Sequence, residues 1–317
     1  MTTDLRPMLA TRGDAVPAAA GWVHEVKWDG MRVLAHVRDG ALRLGSRNGN
    51  TVTAAYPELA GLVDAVGGRD AVIDAEVVAF ADGRPSFAAL ADRMHVRDTR
   101  RAARLAAAQP VTLVAFDLLE VGGRSLLRRP LAERRERLEA LVAVDDRWQV
   151  PPTYDDGAML LAATDQQGLE GIVSKRAESP YQPGARSRDW LKFPHRRRES
   201  YVVGGWRPET GSTSRLGALL VGTPTAAGLL YRGRVGSGIA GKAGPVLRDL
   251  LAPLERGTSP FADEVPRVDA TGTHWVEPVV VVDVEALGLG GAPDESGARL
   301  RQPSYRGVRS DLEAEDL

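Results

Sequence analysis

Residues 22–46, WVHEVKWDGMRVLAHVRDGALRLGS, set the character of the fold. Apolar and polar residues alternate through WVHEV and again through MRVLAHV, the period of a half-buried strand. Asp39-Gly40 then divides MRVLAHVR from ALRLGS. An Asp-Gly pair between two strand patterns signals a tight hairpin, because its turn needs positive φ at both central residues. Neighbouring strands here are therefore expected to run antiparallel.

The same reading extends in both directions. AVIDAEVVAF (71–80) is a strongly apolar strand, turned by Asp82-Gly83, and VTLVAFDLLEV (111–121) is a second, closed by Gly122-Gly123. Short strands follow in GLEGIVSKR and DWLKFP. Helical periodicity predicts helices over 54–67, 86–107, 130–143 and 157–166. Strands of this kind interrupted by helices define an α+β class. From Glu199 the texture changes to short glycine-rich strands: SYVVGGWRP, RLGALLVGTP and GLLYRGRVGSG. One helix (GPVLRDLLAPL), the strand HWVEPVVVVDVEAL and a closing strand near 303–309 complete the chain. Five strands with one helix predict a small Greek-key barrel of the OB type. The expected division is a first domain over 1–198 and the barrel over 199–317, and the length suits two cores.

Composition limits the functions available. The 317 residues are 43% hydrophobic and 26% charged, with 41 basic and 42 acidic side chains for a net charge of −1. Nucleic-acid binding must then rest on a local patch. The absence of cysteine removes disulfides, iron–sulfur clusters and cysteine-held zinc. No apolar run is long enough for a membrane span, and MTTDLRPMLATRGD lacks the layout of a secretory signal, so a cytoplasmic monomer is expected. Arginines cluster at 97, 100, 101 and 104, at 134, 135 and 137, and at 196–198. Solvated helix faces explain such runs. In the second cluster Glu133, Glu136 and Glu139 interleave as pairing partners, whereas Arg196, Arg197 and Arg198 have no acidic neighbour before Glu199.

Lys27, in EVKWDGMR, is a candidate nucleophile. An amine attacks only when unprotonated, and a lysine ordinarily holds its proton to about pH 10.4. Cationic neighbours or a bound metal lower that value, and Arg32 follows just past the Asp29-Gly30 turn. Alone, Lys-x-Asp-Gly reads equally as an exposed lysine before a turn. Its company gives it meaning: SRNG (46–49), DAEVVAF (74–80), FDLL (116–119), EGIVSK (170–175), WLKF (190–193) and RQPSYRGVRSD (301–311) follow in order.

Taken together these motifs resemble the covalent nucleotidyltransferase superfamily, specifically ATP-dependent DNA ligases of the small bacterial type related to the ligase module of the end-joining polymerase–ligase. The resemblance runs from Pro7 to Asp311. It implies a nucleotidyltransferase domain of antiparallel, ATP-grasp-like sheets with helices, followed by the OB barrel. It implies that Lys27 takes AMP from ATP, passes it to a DNA 5′-phosphate, and that a 3′-hydroxyl then displaces AMP. Glu25, Arg32 and Arg47 resemble the residues that hold adenine and ribose, with Arg47 also near DNA phosphate. Lys175 and Lys192 resemble the α-phosphate ligands. Glu76 and Glu170 resemble the carboxylates near Mg²⁺ or Mn²⁺. Asp74 reads equally as an assistant or as a satisfied strand aspartate, and Phe116 equally as an adenine platform or as core. Arg301, Arg306 and Arg309 resemble the arginines that orient the β- and γ-phosphates, a stage in which the second domain closes on the first about a hinge near 194–200.

The expected partners are nicked duplex DNA and, at breaks, DNA-end-binding repair proteins, placing the protein at the nucleoid of a bacterium. Three departures qualify the resemblance. Pro194 stands where the family often has a second lysine, with His195 or Arg196 as substitutes; Leu312 follows Asp311 in place of lysine; and TPTAAG (223–228) is too short for a DNA clasp. The remaining histidines, His24, His36, His95 and His274, show no ligand spacing, and Trp22, Trp28, Trp190 and Trp275 read as core packing. The alternatives are an RNA ligase, a GTP-using capping enzyme, or a non-catalytic DNA-end-binding protein of the same fold. An NAD⁺-dependent ligase would need a cysteine-held zinc module that the sequence cannot supply.

Overall fold

The computed structural model describes residues 5–81, 83–94, 96–212, 215–291 and 295–317. Asp82 of the expected turn and His95 lie outside the described residues. The chain forms two compact units, Met1–His195 and Arg196–Leu317.

The first unit is built on two sheets. Strands β1 (Leu9–Arg12), β2 (Trp22–Val26), β3 (Met31–Arg38), β4 (Ala41–Ser46), β5 (Ala71–Ala81) and β6 (Val111–Val121) precede β7 (Gly171–Arg176) and β8 (Arg186–Pro194). The long strands of the larger sheet lie in the order β4-β3-β5-β6, all antiparallel. The smaller sheet has the order β1-β8-β7-β2, with only β1 and β8 parallel. Strand alternation gives the large sheet two buried faces. Val33, Ala35, Ile73, Ala75, Leu113 and Ala115 pack on one; Leu34, Val72 and Phe116 join Met8, Tyr181 and Trp190 on the other.

Two predicted helices are broken. The span 54–67 is two 3-10 turns and the single turn α1 (Leu62–Ala65). Pro57 starts the second 3-10 turn, and Gly61, Gly67 and Gly68 bound or follow α1. Burial of Tyr56, Leu59 and Leu62 supplied the helical pattern without a continuous helix. The span 86–107 divides into α2 (Phe87–Ala91) and α3 (Thr99–Ala108). Between them the buried Arg93 guanidinium pairs with Glu58 and donates to the Ala55 carbonyl at 2.7 Å. Asp98 then caps α3 by accepting from the Arg101 amide at 2.7 Å. Helices α4 (Leu131–Leu141) and α5 (Gly157–Gln166) stand close to their predicted spans.

The arginines of α4 are not all solvated, contrary to the expectation for this cluster. Arg137 pairs with Glu133 and Arg135 with Glu139, as interleaving suggests. Arg134, however, is fully buried and holds both carboxylate oxygens of Asp117 at 2.7 and 2.8 Å. It also donates to the carbonyls of Arg129 and Ser179. Arg135 is buried too and reaches the Pro151 carbonyl.

In the second unit, β9 (Arg197–Pro208), β10 (Leu216–Thr225) and β11 (Gly228–Val235) form a meander. Helix α6 (Ala243–Leu251), β12 (His274–Val276), β13 (Val281–Ala286) and β14 (Ser304–Val308) follow. The predicted strand over 274–287 is interrupted around Glu277-Pro278, since proline cannot continue a ladder. The first half of β9 pairs with β13 and its later part with β12. The change occurs at Gly204-Gly205, where a Cβ on Gly204 would strike the Phe261 ring. β13 pairs with β14, and the Tyr305 amide donates to the Ser237 carbonyl just beyond β11, closing a circuit of β9, β10, β11, β14 and β13.

Candidate functional site

The two sheets of the first unit bring most of the candidate residues into one pocket. It is lined by Leu9, Ala10, Glu25, Val26, Lys27, Trp28, Arg32, Arg47, Glu76, Phe116, Val173, Lys175, Arg186, Trp190 and Lys192. Glu170 does not line it but lies 2.7 Å from the Lys27 ammonium.

Register explains the convergence. In the small sheet Glu25 faces Val173, which faces Lys192, and Lys175 faces Trp190. With a side-chain period of 2, Glu25, Val173, Lys175, Trp190 and Lys192 share one face. In the large sheet Arg32 and Glu76 are direct cross-strand partners. Phe116 occupies a bulge: Asp74 pairs with Asp117 and Ala75 with Ala115, leaving Phe116 as the extra residue. A bulge re-aims one side chain, and this one enters the pocket. Two glycines permit close approach. A Cβ on Gly30 would lie 2.2 Å from the Val77 carbonyl oxygen. Gly171 has φ +129, and a Cβ there would lie 2.1 Å from the Phe193 carbonyl oxygen. The Lys27 amide donates to the Gly171 carbonyl at 2.8 Å, tying the end of β2 to the turn that carries Glu170.

The pocket floor pairs aromatic rings with cations. Phe116 and Trp190 meet edge to face at 6.4 Å, and the Lys175 ammonium lies 4.4 Å from each ring centre. Thus Phe116 belongs both to the core and to the pocket wall. Trp190, expected to be core alone, lines the pocket as well, and Trp28, expected to be core, is half-buried on the pocket wall. Lys175 is buried against Glu25 at 2.6 Å. Burial pulls its ammonium below the usual lysine range, opposed by the Glu25 carboxylate and by Asp117. The Lys192 ammonium is also held low, by burial and then by Lys27 and Arg186.

Arg32 is committed to Asp74 through bonds of 2.9 and 2.6 Å. Tyr181 donates its hydroxyl hydrogen to the same carboxylate at 2.5 Å and accepts from the Met8 amide. Asp74 is therefore a satisfied strand aspartate that orients Arg32, and Lys27 takes its closest ion pair from Glu170. Three buried polar atoms on the pocket wall have no hydrogen-bond partner among the described residues: Glu25 Oε1, Trp28 Nε1 and Trp190 Nε1.

Glu76 differs from its neighbours. Burial pushes its carboxyl up to about 8, against Lys27 and Arg32, with Glu170 and Asp74 reinforcing the rise. Among the described residues none hydrogen-bonds it, so this carboxylate suits a cation. No group of three or more histidine or acidic side chains forms a ready-made cage among the described residues.

The other candidates fall elsewhere. Arg306 pairs bidentately with Glu285 at 3.0 Å, and Arg309 holds Asp311 and Asp283, all within the second unit, where Arg301 also lies. His195, a suggested stand-in for lysine at 194, faces α5 by bonding Thr164 at 2.9 Å. Arg196 contacts Glu285 and the Gln302 carbonyl. His195 does not line the pocket. Sequence reading missed Arg186, which lines the pocket; its arginine-rich stretch carried no strand signal. Among the other histidines, His24 is buried against Ser174 and His274 stacks on Trp206. No helix among the described residues is long and apolar enough to cross a membrane.

The chain is similar to known proteins. A family model described as ATP dependent DNA ligase domain matches residues 7–193, and one described as ATP dependent DNA ligase C terminal region matches 212–312. The multifunctional non-homologous end joining DNA repair protein LigD of Mycobacterium tuberculosis is 38% identical over 317 residues, 99% of this chain and 40% of that protein. A DNA ligase of Natronomonas pharaonis is 34% identical, covering 98% of this chain and 56% of its own length. The solved structure of mycobacterial DNA ligase D complexed with ATP and MES is 36% identical, with a TM-score of 0.57, covering 100% of this chain and 99% of that one.

Proposed function

The chain belongs to the ATP-dependent DNA ligases, and we propose that it seals nicks through an adenylate on Lys27, in end-joining repair. The observation that carries this reading is the 2.7 Å contact of Lys27 with Glu170 at a pocket lined by Glu25, Lys175 and Lys192.

The Lys27 Nζ lone pair forms a bond to the α-phosphorus of ATP as the bridging oxygen leaves with pyrophosphate. Glu170 is the nearest base for the proton that Nζ sheds. A DNA 5′-phosphate oxygen then displaces the lysine, which recovers a proton. The 3′-hydroxyl oxygen finally attacks the 5′-phosphorus, its proton passes to solvent, and AMP departs. Charge moves among phosphate oxygens throughout, so fixed cations carry much of the catalysis. Lys192 is assigned to the α-phosphate and Lys175 to the adjoining floor. Arg186 and Arg47 supply further positive charge, compensating for Pro194. Glu76 and Glu170 would hold a divalent cation, which neutralises phosphate charge when bound. Arg301, Arg306 and Arg309 are read as ligands of the β- and γ-phosphates, a role for which Arg306 must exchange Glu285, and Arg309 its aspartates, for phosphate.

Glu25 favours ATP over GTP. A carboxylate oxygen accepts a hydrogen, which adenine offers from its exocyclic amine where guanine presents a carbonyl. The second unit is read as an OB barrel, nicked duplex DNA as the polynucleotide substrate, and DNA-end-binding proteins as helpers of a monomer at the nucleoid.

The test is sealing of a nick with DNA or RNA on its 3′-hydroxyl side, supplied with ATP or GTP. ATP-driven sealing of the all-DNA nick is expected. Sealing confined to RNA-ended nicks, or driven by GTP alone, would overturn the reading. Chelating divalent cations is expected to slow self-adenylation by about 100-fold or more, consistent with loss of charge stabilisation worth several kcal/mol. Glu76→Ala should raise the Mg²⁺ concentration giving half-maximal labelling; an unchanged Mg²⁺ dependence would remove Glu76 from the metal site.

A further inference from the structure

Helix α3 carries a feature that the nucleotide pocket does not use. Arg97 precedes the helix, and Arg100, Arg101 and Arg104 lie within it, all four exposed. At 3.6 residues per turn Arg100 and Arg104 lie one turn apart on the side opposite Ala102 and Ala106, which are buried and half-buried, and Arg101 flanks them. None of the four has an ion pair among the described residues. The chain does pair arginines on other helices, since α4 matches Arg137 to Glu133 and Arg135 to Glu139.

The placement is also unfavourable for the helix itself. Arg100 and Arg101 occupy its first turn, where the macrodipole favours acids and opposes cations by some tenths of a kcal/mol each. That turn holds no acid, and the preceding N-cap Asp98 is occupied in accepting from the Arg101 amide. Unpaired like charges held against the dipole indicate a surface shaped for an anion rather than for helix stability.

The position of α3 selects the anion. The helix ends at Ala108, just before Val111 opens β6. Val111 pairs with Ala79, Leu113 with Val77, and Val77 with Met31. On the far side Val33 pairs with Ser46, which leads to Arg47. Helix α3 therefore stands at the end of the large sheet where Lys27, the Asp29-Gly30 turn and Arg47 lie. It packs on the segment 53–59, which covers the sheet face opposite Phe116. A duplex with its nick at Lys27 and one arm running past that end of the sheet would bring backbone phosphates toward α3.

We infer that the outward face of α3 is a docking surface for the sugar-phosphate backbone of one arm of the nicked duplex, away from the nick. This rests on the reading of the chain as a DNA ligase. Four exposed cations suit a polyanion, and they supply local positive charge in a chain of net charge −1.

The test uses the full chain with Arg100→Gln/Arg104→Gln, and Arg100→Lys/Arg104→Lys as the charge-preserving companion. Nicked-duplex binding is measured across a salt series, and self-adenylation is measured without DNA. The glutamine variant should bind nicked DNA roughly 10- to 100-fold more weakly, with the slope of log affinity against log salt reduced by about 2. Its self-adenylation should be unchanged, and the lysine variant should retain most of the binding. Shortening one arm of the duplex should erase the difference between variant and wild type. Unchanged affinity and slope would overturn the inference and leave the stripe to another anion, such as an acidic protein. Parallel loss of adenylation would overturn it as a separate surface. If the wild-type protein itself neither takes adenylate nor binds nicked DNA, the ligase reading fails instead.

Discussion

Lys27→Ala is expected to lower ATP-driven nick sealing by roughly four orders of magnitude or more, the scale on which removal of a covalent nucleophile acts. Sealing of a nick that already carries a 5′-adenylate should survive to a measurable extent. The reason lies in which bonds each step needs. Only the first two steps use Lys27 Nζ as nucleophile and leaving group. The last joins a 3′-hydroxyl to an activated 5′-phosphate and relies on the surrounding cations and carboxylates. The substitution also removes the ion pair with Glu170, so some loss in the last step is expected. Gel assays on both substrates provide the comparison. Equal loss on both would assign Lys27 to general phosphate binding rather than to covalent transfer.

The largest effect on stability is expected at Arg134. Its side chain is fully buried, forms two hydrogen bonds with Asp117 and donates to two carbonyls. Arg134→Ala leaves the Asp117 carboxylate buried without its partner, and breaking such a pair costs about 3–5 kcal/mol. Asp117 follows the bulged Phe116, so the loss also loosens the pocket wall. Urea unfolding of the full chain should show an early transition for the first unit. Arg134→Met combined with Asp117→Leu should recover part of the loss, because replacing both members of a buried pair removes the stranded charge. An Arg134→Ala protein within about 1 kcal/mol of wild type would contradict the importance of this pair.

Much of this architecture is legible in the sequence, for reasons that differ by element. The strands at 71–81 and 111–121 announce themselves because both faces are buried and the run is long. Lys27, Glu25, Glu76, Lys175 and Lys192 gather in one pocket because strand period and register place them there. Other features arise from tertiary context. The bulge that turns Phe116 into the pocket depends on its pairing with β5 and leaves no local signature. The helix expected over 54–67 fails because Pro57 and the glycines break it while its apolar positions still reach the core. Arg134 resembled a surface residue because its partner, Asp117, lies on a strand 17 positions away in sequence. Arg186 entered the pocket through pairing of β8 with β1, which nothing in its own neighbourhood foretells.

The most direct test of covalent adenylate transfer is a labelling experiment. The purified protein is first treated with pyrophosphate and Mg²⁺ to discharge any adenylate, then incubated with Mg²⁺ and α-labelled ATP, GTP or NAD⁺. Acid-resistant label should come from ATP, map to Lys27 by peptide mass spectrometry, and be absent from Lys27→Ala. Label on another residue, label persisting in Lys27→Ala, or no label from ATP would contradict the account.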